Sequence, residues 1–302
     1  MGKLNKTLFT DKFPKINSDT ELARLQKKLH KYDPYYVTSG CVLERRRKLD
    51  KLWKKFHPFA DSFFLKQYKL SFHDRTWEMY LGNILLINNL KIEPLDKGPD
   101  FFVDNSEYIE CVICERGEKD LPNSVPELHF TEDPMDITVQ DVPVDKMILR
   151  ITSVIDCKYK KYLADNWEHI DKDKPFIIAI NSGLLQHPQD YLGIPLIIKA
   201  LFGIEHLKIG IGSGNTSFSF RSSLQKINSI KPIPIDLFTS ETYKEISGIF
   251  FSDKTVINHP NNIGEDCIFI NNPFAKNPVN FEKYSFFKHW HADKKGKITK
   301  LY

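Results

Sequence analysis

The spacing of hydrophobic positions changes near residue 71 and divides the chain into two stretches. Before it, apolar residues recur at helical intervals. DTELARLQKKLHKY reads as a short amphipathic helix with Asp19 near its cap. SGCVLERRRKLDKLWKKFH reads as another, with Ser39 at the N-cap and Glu44 in the early turns. In SFHDRTWEMYLGNILLINNL, residues Phe72, Trp77, Tyr80, Leu81, Ile84, Leu85 and Asn88 fall mostly on one side of a helix, with Asp74 or Thr76 as its cap.

Past KIEPL the period shortens. A GPD turn leads into two strands, FFVDN and YIECVI, and a long loop punctuated by Pro122, Pro126, Pro134 and Pro143 follows. VDKMILRITSVIDCKYKKYLADNWEHI is a long amphipathic helix, and the unbroken apolar run of KPFIIAINS suits a strand buried on both faces. IPLIIKALFG predicts a helix, LKIGIGSGNTSFSFRSS a hairpin, and ISGIFFSD and EDCIFINNPFA further strands. The end, HWHADKKGKITKLY, reads as polar and frayed. Helix, strand pair, helix and buried strand together predict an α/β fold with a mixed sheet. The expected organisation is an N-terminal helical, basic region over 1–70 and an α/β domain with C-terminal strand additions over 71–302.

Composition adds bounds rather than identity. With 41% hydrophobic residues among 302, the chain has material for a sizeable core, and no apolar run reaches the ~20 residues of a membrane span. A cytoplasmic location follows as the default expectation. Five scattered cysteines suit a reducing compartment; Cys111 and Cys114 have CxxC spacing but no second pair, which favours two small strand residues over a zinc site. The net charge of +4 is mild, yet the second helix carries Arg45, Arg46, Arg47, Lys48, Lys51, Lys54 and Lys55 in close succession. A solvated face is the ordinary explanation. The alternative is a phosphate-tracking surface for nucleic acid, with Arg45, Arg46, Lys54 and Lys55 as contacts and Trp53 available to stack on a base.

Candidate chemistry centres on acids. Asp100 opens one strand and Glu110 lies in the next, so a hairpin brings both to one edge of the sheet. Glu78 sits on or beside the apolar face of the preceding helix, where a carboxylate is otherwise unwelcome. Convergent carboxylates are costly without a cation, and hard oxygen ligands favour Mg²⁺ or Mn²⁺. On the following helix, Arg150 and Lys158 share a stripe with Ser153 and Cys157 beside it. GIGSGNTSFSF lacks a GK[ST] ending and reads as a turn before a strand, and the histidines, His129, His289 and His291 among them, show no metal-binding spacing.

This arrangement resembles the PD-(D/E)xK nuclease superfamily, with its restriction-endonuclease-like core, over roughly residues 71–181. The matching positions are Glu78 in TWEMYLG, Pro99 and Asp100 in GPDFF, and Glu110 in YIECVI. A looser likeness is to bacterial proteins of the same layout. The resemblance implies a mixed sheet flanked by helices, and a nuclease using Mg²⁺ or Mn²⁺ to hydrolyse phosphodiester bonds, with DNA the expected substrate in restriction, repair or defence. It assigns the metal to Asp100, Glu110 and Glu78, with help from the Cys111 carbonyl. Where the family has lysine two positions after the strand acid, this chain has Val112. Some members resemble it in carrying that lysine on the neighbouring helix, which makes Lys158 the replacement, with Arg150 and Ser153 toward the substrate phosphate. A double-strand cut would call for two sites and hence a homodimer. The competing expectations are a catalytically inactive nuclease-like fold that binds nucleic acid or protein, and a structural protein whose acids are surface groups.

Overall fold

The computed structural model describes residues 7–95, 97–128, 139–164, 167, 170–211, 216–255 and 257–301. They form two compact units, one of residues 1–113 with 254–266, the other of residues 114–253 with 267–302. His129 and part of the GIGSGNTSFSF run lie outside the described residues. The change of pattern near residue 71 falls inside the first unit.

The first unit carries α1 (Asp19–Lys28), α2 (Pro34–Cys41), α3 (Leu43–Phe56), α4 (Phe64–Tyr68) and α5 (Phe72–Ile87), followed by β1 (Ile92–Pro94), β2 (Phe101–Val103) and β3 (Glu107–Ile113). Two of these helices start on a side-chain cap. Ser18 caps α1 by accepting from the Glu21 N–H, and Asp33 caps α2 ahead of Pro34, whose missing N–H costs nothing at a first helical position. Ser39 is not a cap: it lies inside α2, fully buried, and α3 begins after Val42 with no side-chain cap. Likewise Ser71 stands at the cap position of α5 rather than Asp74 or Thr76, and its side chain makes no capping bond.

Aromatic rings join these helices to the strands. Trp53 is fully buried and stacks on Phe64 at 5.2 Å, while Phe56 meets Phe101 edge-on at 6.1 Å. Trp53 is therefore core, and the expectation that it stacks on a nucleic-acid base is withdrawn. Where α3 crosses α5, Gly82 leaves room for the Phe56 ring, which any Cβ there would strike. β1, β2 and β3 form an antiparallel meander; Phe101 pairs with Ile109 and Val103 with Glu107, around a turn in which Asp104 and Asn105 both adopt positive φ.

The second unit begins with α6 (Val144–Leu163) and β4 (Phe176–Asn181), and every residue of β4 is buried. Tyr162 of α6 stacks on Phe176 at 4.3 Å. Two short pairs, β5 (Asp190–Tyr191) with β6 (Ile194–Pro195) and β9 (Ser223–Leu224) with β10 (Ile233–Pro234), bracket the buried helix α7 (Leu196–Phe202) and the hairpin of β7 (Ile204–Ile209) with β8 (Thr216–Phe220). β11 (Gly248–Ser252) runs parallel to β4 and antiparallel to β12 (Ile268–Asn271). β13 (Lys288–Ala292) is parallel to β12 and closes a final hairpin with β14 (Ile298–Leu301).

Parallel and antiparallel pairs together make this a mixed sheet in an α/β protein, as the pattern predicts. The C-terminal stretch is a correction. His289, Trp290 and Ala292 are buried, and Gly296, at φ 81°, turns the chain back so that polar residues pair instead of fraying. No helix among the described residues is long and apolar enough to cross a membrane.

Candidate active site

Asp100, Glu78 and Glu110 all belong to the first unit, and two independent features relate them. The β2–β3 register pairs Phe101 with Ile109; continued one step, it sets Asp100 across from Glu110, and directly opposed residues project from the same face. The Asp100 side chain also accepts a 2.7 Å hydrogen bond from the Cys111 N–H, which fixes the carboxylate at the edge of β3. Glu78 reaches the same neighbourhood from α5. It is only 6% exposed, and its pKa is raised well above the usual carboxylate range, first by burial and then by the nearby Asp100 charge, against the pull of Arg75.

Four further polar residues join the site that were not among the sequence candidates, Arg75, Asp61, Gln67 and Lys97. Arg75, one turn before Glu78, donates to Glu78 Oε2 at 2.5 Å and to Asp61 Oδ2 at 3.0 Å. Burial opposes its charge, but Glu78, Asp61 and Asp100 outweigh that and hold the guanidinium firmly protonated. Lys97 joins Asp61, Gln67, Arg75, Glu78 and Asp100 around a cavity of about 130 Å³. The i, i+3 spacing of Arg75 and Glu78 was readable as a helical pair. Asp61 and Lys97 carried no comparable signal, since neither is periodic with the acids.

The remaining candidates fall on other elements. Val112 is half-buried in β3, so the strand offers no lysine at that place. Arg150, Ser153 and Lys158 lie on α6 in the second unit: Arg150 Nε donates to the Glu115 carbonyl at 2.7 Å, Ser153 is exposed and Lys158 is half-buried. On α3, Lys54 and Lys55 are exposed. Arg46 is engaged with Asp50 at 3.8 Å and lies over the Phe9 ring, and Arg45 is half-buried, which lowers its pKa.

Cys111 and Cys114 form no disulfide, and burial pushes the Cys114 thiol up to about 12, far from a reactive thiolate. His289 is buried against the Tyr284 carbonyl.

No group of three or more His, Cys, Asp or Glu is assembled around a metal position among the described residues. The donor chemistry nevertheless suits a hard divalent cation. Mg²⁺ is commonly held by one or two carboxylates with waters completing its shell, and Asp100 beside a buried Glu78 supplies two. The raised pKa of Glu78 comes first from burial and then from the Asp100 charge, which Arg75 only partly counters. Compared with protein-family models, with curated proteins and with solved structures, the chain matches none.

Proposed function

We propose that the protein is a metal-dependent nuclease of the PD-(D/E)xK type, hydrolysing phosphodiester bonds in DNA. One observation carries the reading: a buried glutamate on α5 whose pKa is raised by burial and by Asp100, with Asp100 itself tied to the Cys111 N–H opposite Glu110. An acid-lined cavity at a strand edge is an expensive arrangement for stability alone.

Asp100 and Glu78, with Glu110 across the hairpin, would hold Mg²⁺ or Mn²⁺. Such an ion, when bound, supplies a water of lowered pKa and polarises a phosphoryl oxygen. The cationic side chains have separate tasks. Arg75 keeps the Glu78 carboxylate oriented through its 2.5 Å bond, and Lys97 at the cavity offers positive charge toward a phosphate. The family resemblance puts forward Lys158 for the lysine absent at Val112, with Arg150 and Ser153 on the same helix of the second unit, and substitution of Lys158 tests that role. On this reading the protein acts in restriction, repair or defence.

The test is incubation of the purified protein with plasmid, linear and single-stranded DNA and with RNA in Mn²⁺, beside Asp100→Ala and Lys158→Ala. Cleavage by the wild type, lost by at least about a hundredfold in Asp100→Ala, is expected from removal of a metal ligand. Cleavage that survives both substitutions would show the assignment to be wrong.

A second reading is favoured by Arg75. Its guanidinium already pairs with both Glu78 and Asp61, as a built-in cation would in a nuclease-like fold that binds without cutting. Mn²⁺ titration separates the two: binding by the wild type that is absent in Asp100→Ala supports the enzyme, and equal, negligible binding in both supports the silent fold.

A further inference from the structure

Helix α5 presents a second set of polar groups on the side opposite Glu78. Tyr80, Asn83 and Ile87 follow one another at spacings of three and four and share a face, whereas Glu78, two positions before Tyr80, points roughly 200° around the axis. This second face lines a cavity of about 310 Å³, at the lower end of the ~300–1,000 Å³ typical of small-molecule clefts. Its walls combine three kinds of chemistry.

The first is charge. Lys48, Lys51 and Lys55 recur at three and four along α3, so their ammonium groups share one rim, and all three residues are exposed. Among the described residues no carboxylate lines the cavity opposite them. The second is an apolar and aromatic slot. Leu52, Ile87 and Ile263 line it together with Tyr80 and His259, whose rings stack at 3.7 Å and 14°. That stack is rigid: Tyr80 donates to Asp266 Oδ1 at 2.5 Å and accepts from the Gly264 N–H at 3.0 Å, while His259 Nδ1 lies 3.0 Å from Asp266 Oδ2.

The third is an acceptor without a donor. Asn83 is fully buried, and its amide nitrogen donates to the Leu52 carbonyl at 3.0 Å and the Met79 carbonyl at 2.7 Å. Two carbonyl partners settle which end of the amide is nitrogen, and the carbonyl oxygen left over is buried with no hydrogen-bond partner. A buried acceptor in that condition costs about 1–3 kcal/mol unless something donates to it.

We propose that this cavity is a binding site for a nucleoside 5′-phosphate, distinct from the carboxylate site. The base enters the slot beside the Tyr80–His259 pair, its ring or exocyclic N–H donates to Asn83 Oδ1, and the phosphate meets the Lys48, Lys51 and Lys55 rim. The volume suits one nucleotide rather than a stacked strand. Because the two sites occupy opposite faces of α5, occupancy of one leaves the other open.

Calorimetric titration of the full-length protein with AMP, GMP, CMP and UMP tests this, with adenosine and ribose 5-phosphate as partial ligands and the Lys48→Gln/Lys51→Gln/Lys55→Gln variant beside the wild type. Glutamine keeps helix propensity at exposed positions, so an unchanged circular dichroism spectrum is expected. At least one nucleotide should bind saturably, one per chain, and about tenfold or more tighter than either partial ligand. The triple variant should weaken it by about tenfold or more, and Asp100→Ala should leave it unchanged within about twofold. Absence of saturable binding by all four nucleotides would overturn the proposal. So would ribose 5-phosphate binding as tightly as the nucleotide, or binding that Asp100→Ala abolishes and the lysine variant does not.

Discussion

Glu78 and His73 stand five positions apart on α5, and burial acts on them in opposite directions. The raised pKa of Glu78 means that the metal-free folded state holds its proton more tightly than the unfolded chain does. The stability contributed by this group is therefore complete below about pH 4.5 and is lost as pH rises through the elevated value. Urea melts of the metal-free protein should show wild type losing stability relative to Glu78→Gln as pH rises above about 4.5, with a slope of at most about 1.4 kcal/mol per pH unit. Mn²⁺ should recover more stability at higher pH than at lower, since a cation favours the ionised carboxylate. His73 runs the other way. Burial and then Arg45 lower its pKa to about 4 against the pull of Asp33, and its Nε2 is buried with no hydrogen-bond partner. The stability contributed by its neutral form is complete above about pH 6.5 and falls as pH drops toward about 4. Replacing it by phenylalanine should flatten the acid limb of a pH–stability profile by about 1–3 kcal/mol; an unchanged limb would assign that loss to other groups.

At the scale of elements, the meeting of α3 with α5 is the most informative contact in the first unit. A mid-helix glycine costs about 1 kcal/mol relative to alanine, so propensity alone predicts that Gly82→Ala stabilises. The Phe56 ring occupies the space of the missing Cβ, and Phe64 and Phe101 stand against that ring. Gly82→Ala should therefore lower stability by about 1–2 kcal/mol net, measured by denaturant midpoint at constant slope. A gain would mean that the aromatic cluster is free to shift. The periodicity of α3 and α5 was legible in their sequences. The close approach was not, because which glycine faces which ring depends on the crossing of the two helices.

For the whole molecule, the net charge of +4 is small, and what matters is where it is concentrated. The basic arc of α3 separates into exposed and occupied parts: Lys54 and Lys55 are exposed, while Arg46 is engaged by Asp50 and Phe9. If that arc tracks a nucleic-acid backbone, Lys54→Gln should reduce the log–log salt slope of DNA binding by about one. Arg46→Gln should act mainly through lost packing at Phe9, lowering thermal stability with a smaller change in slope. Equal effects on the slope would place both side chains on phosphate.

The residues by themselves determined the order of elements and the chemical type of the candidate site. Periods of 3.6 and 2 are written in which side chains are apolar, so α5, the β2–β3 hairpin, α6 and the buried strand β4 could be read directly. Asp100 and Glu110 could be paired because a short hairpin sets its own register. Tertiary structure decided what surrounds them. Asp61 joins the Arg75–Glu78 pair through packing of a separate segment, Trp53 withdraws into the core, and the polar C-terminus folds into a strand pair because neighbouring strands supply its hydrogen bonds. The pKa of Glu78 and the unsatisfied oxygen of Asn83 are of the same kind: both depend on burial created by distant segments, which local spacing along a chain does not encode.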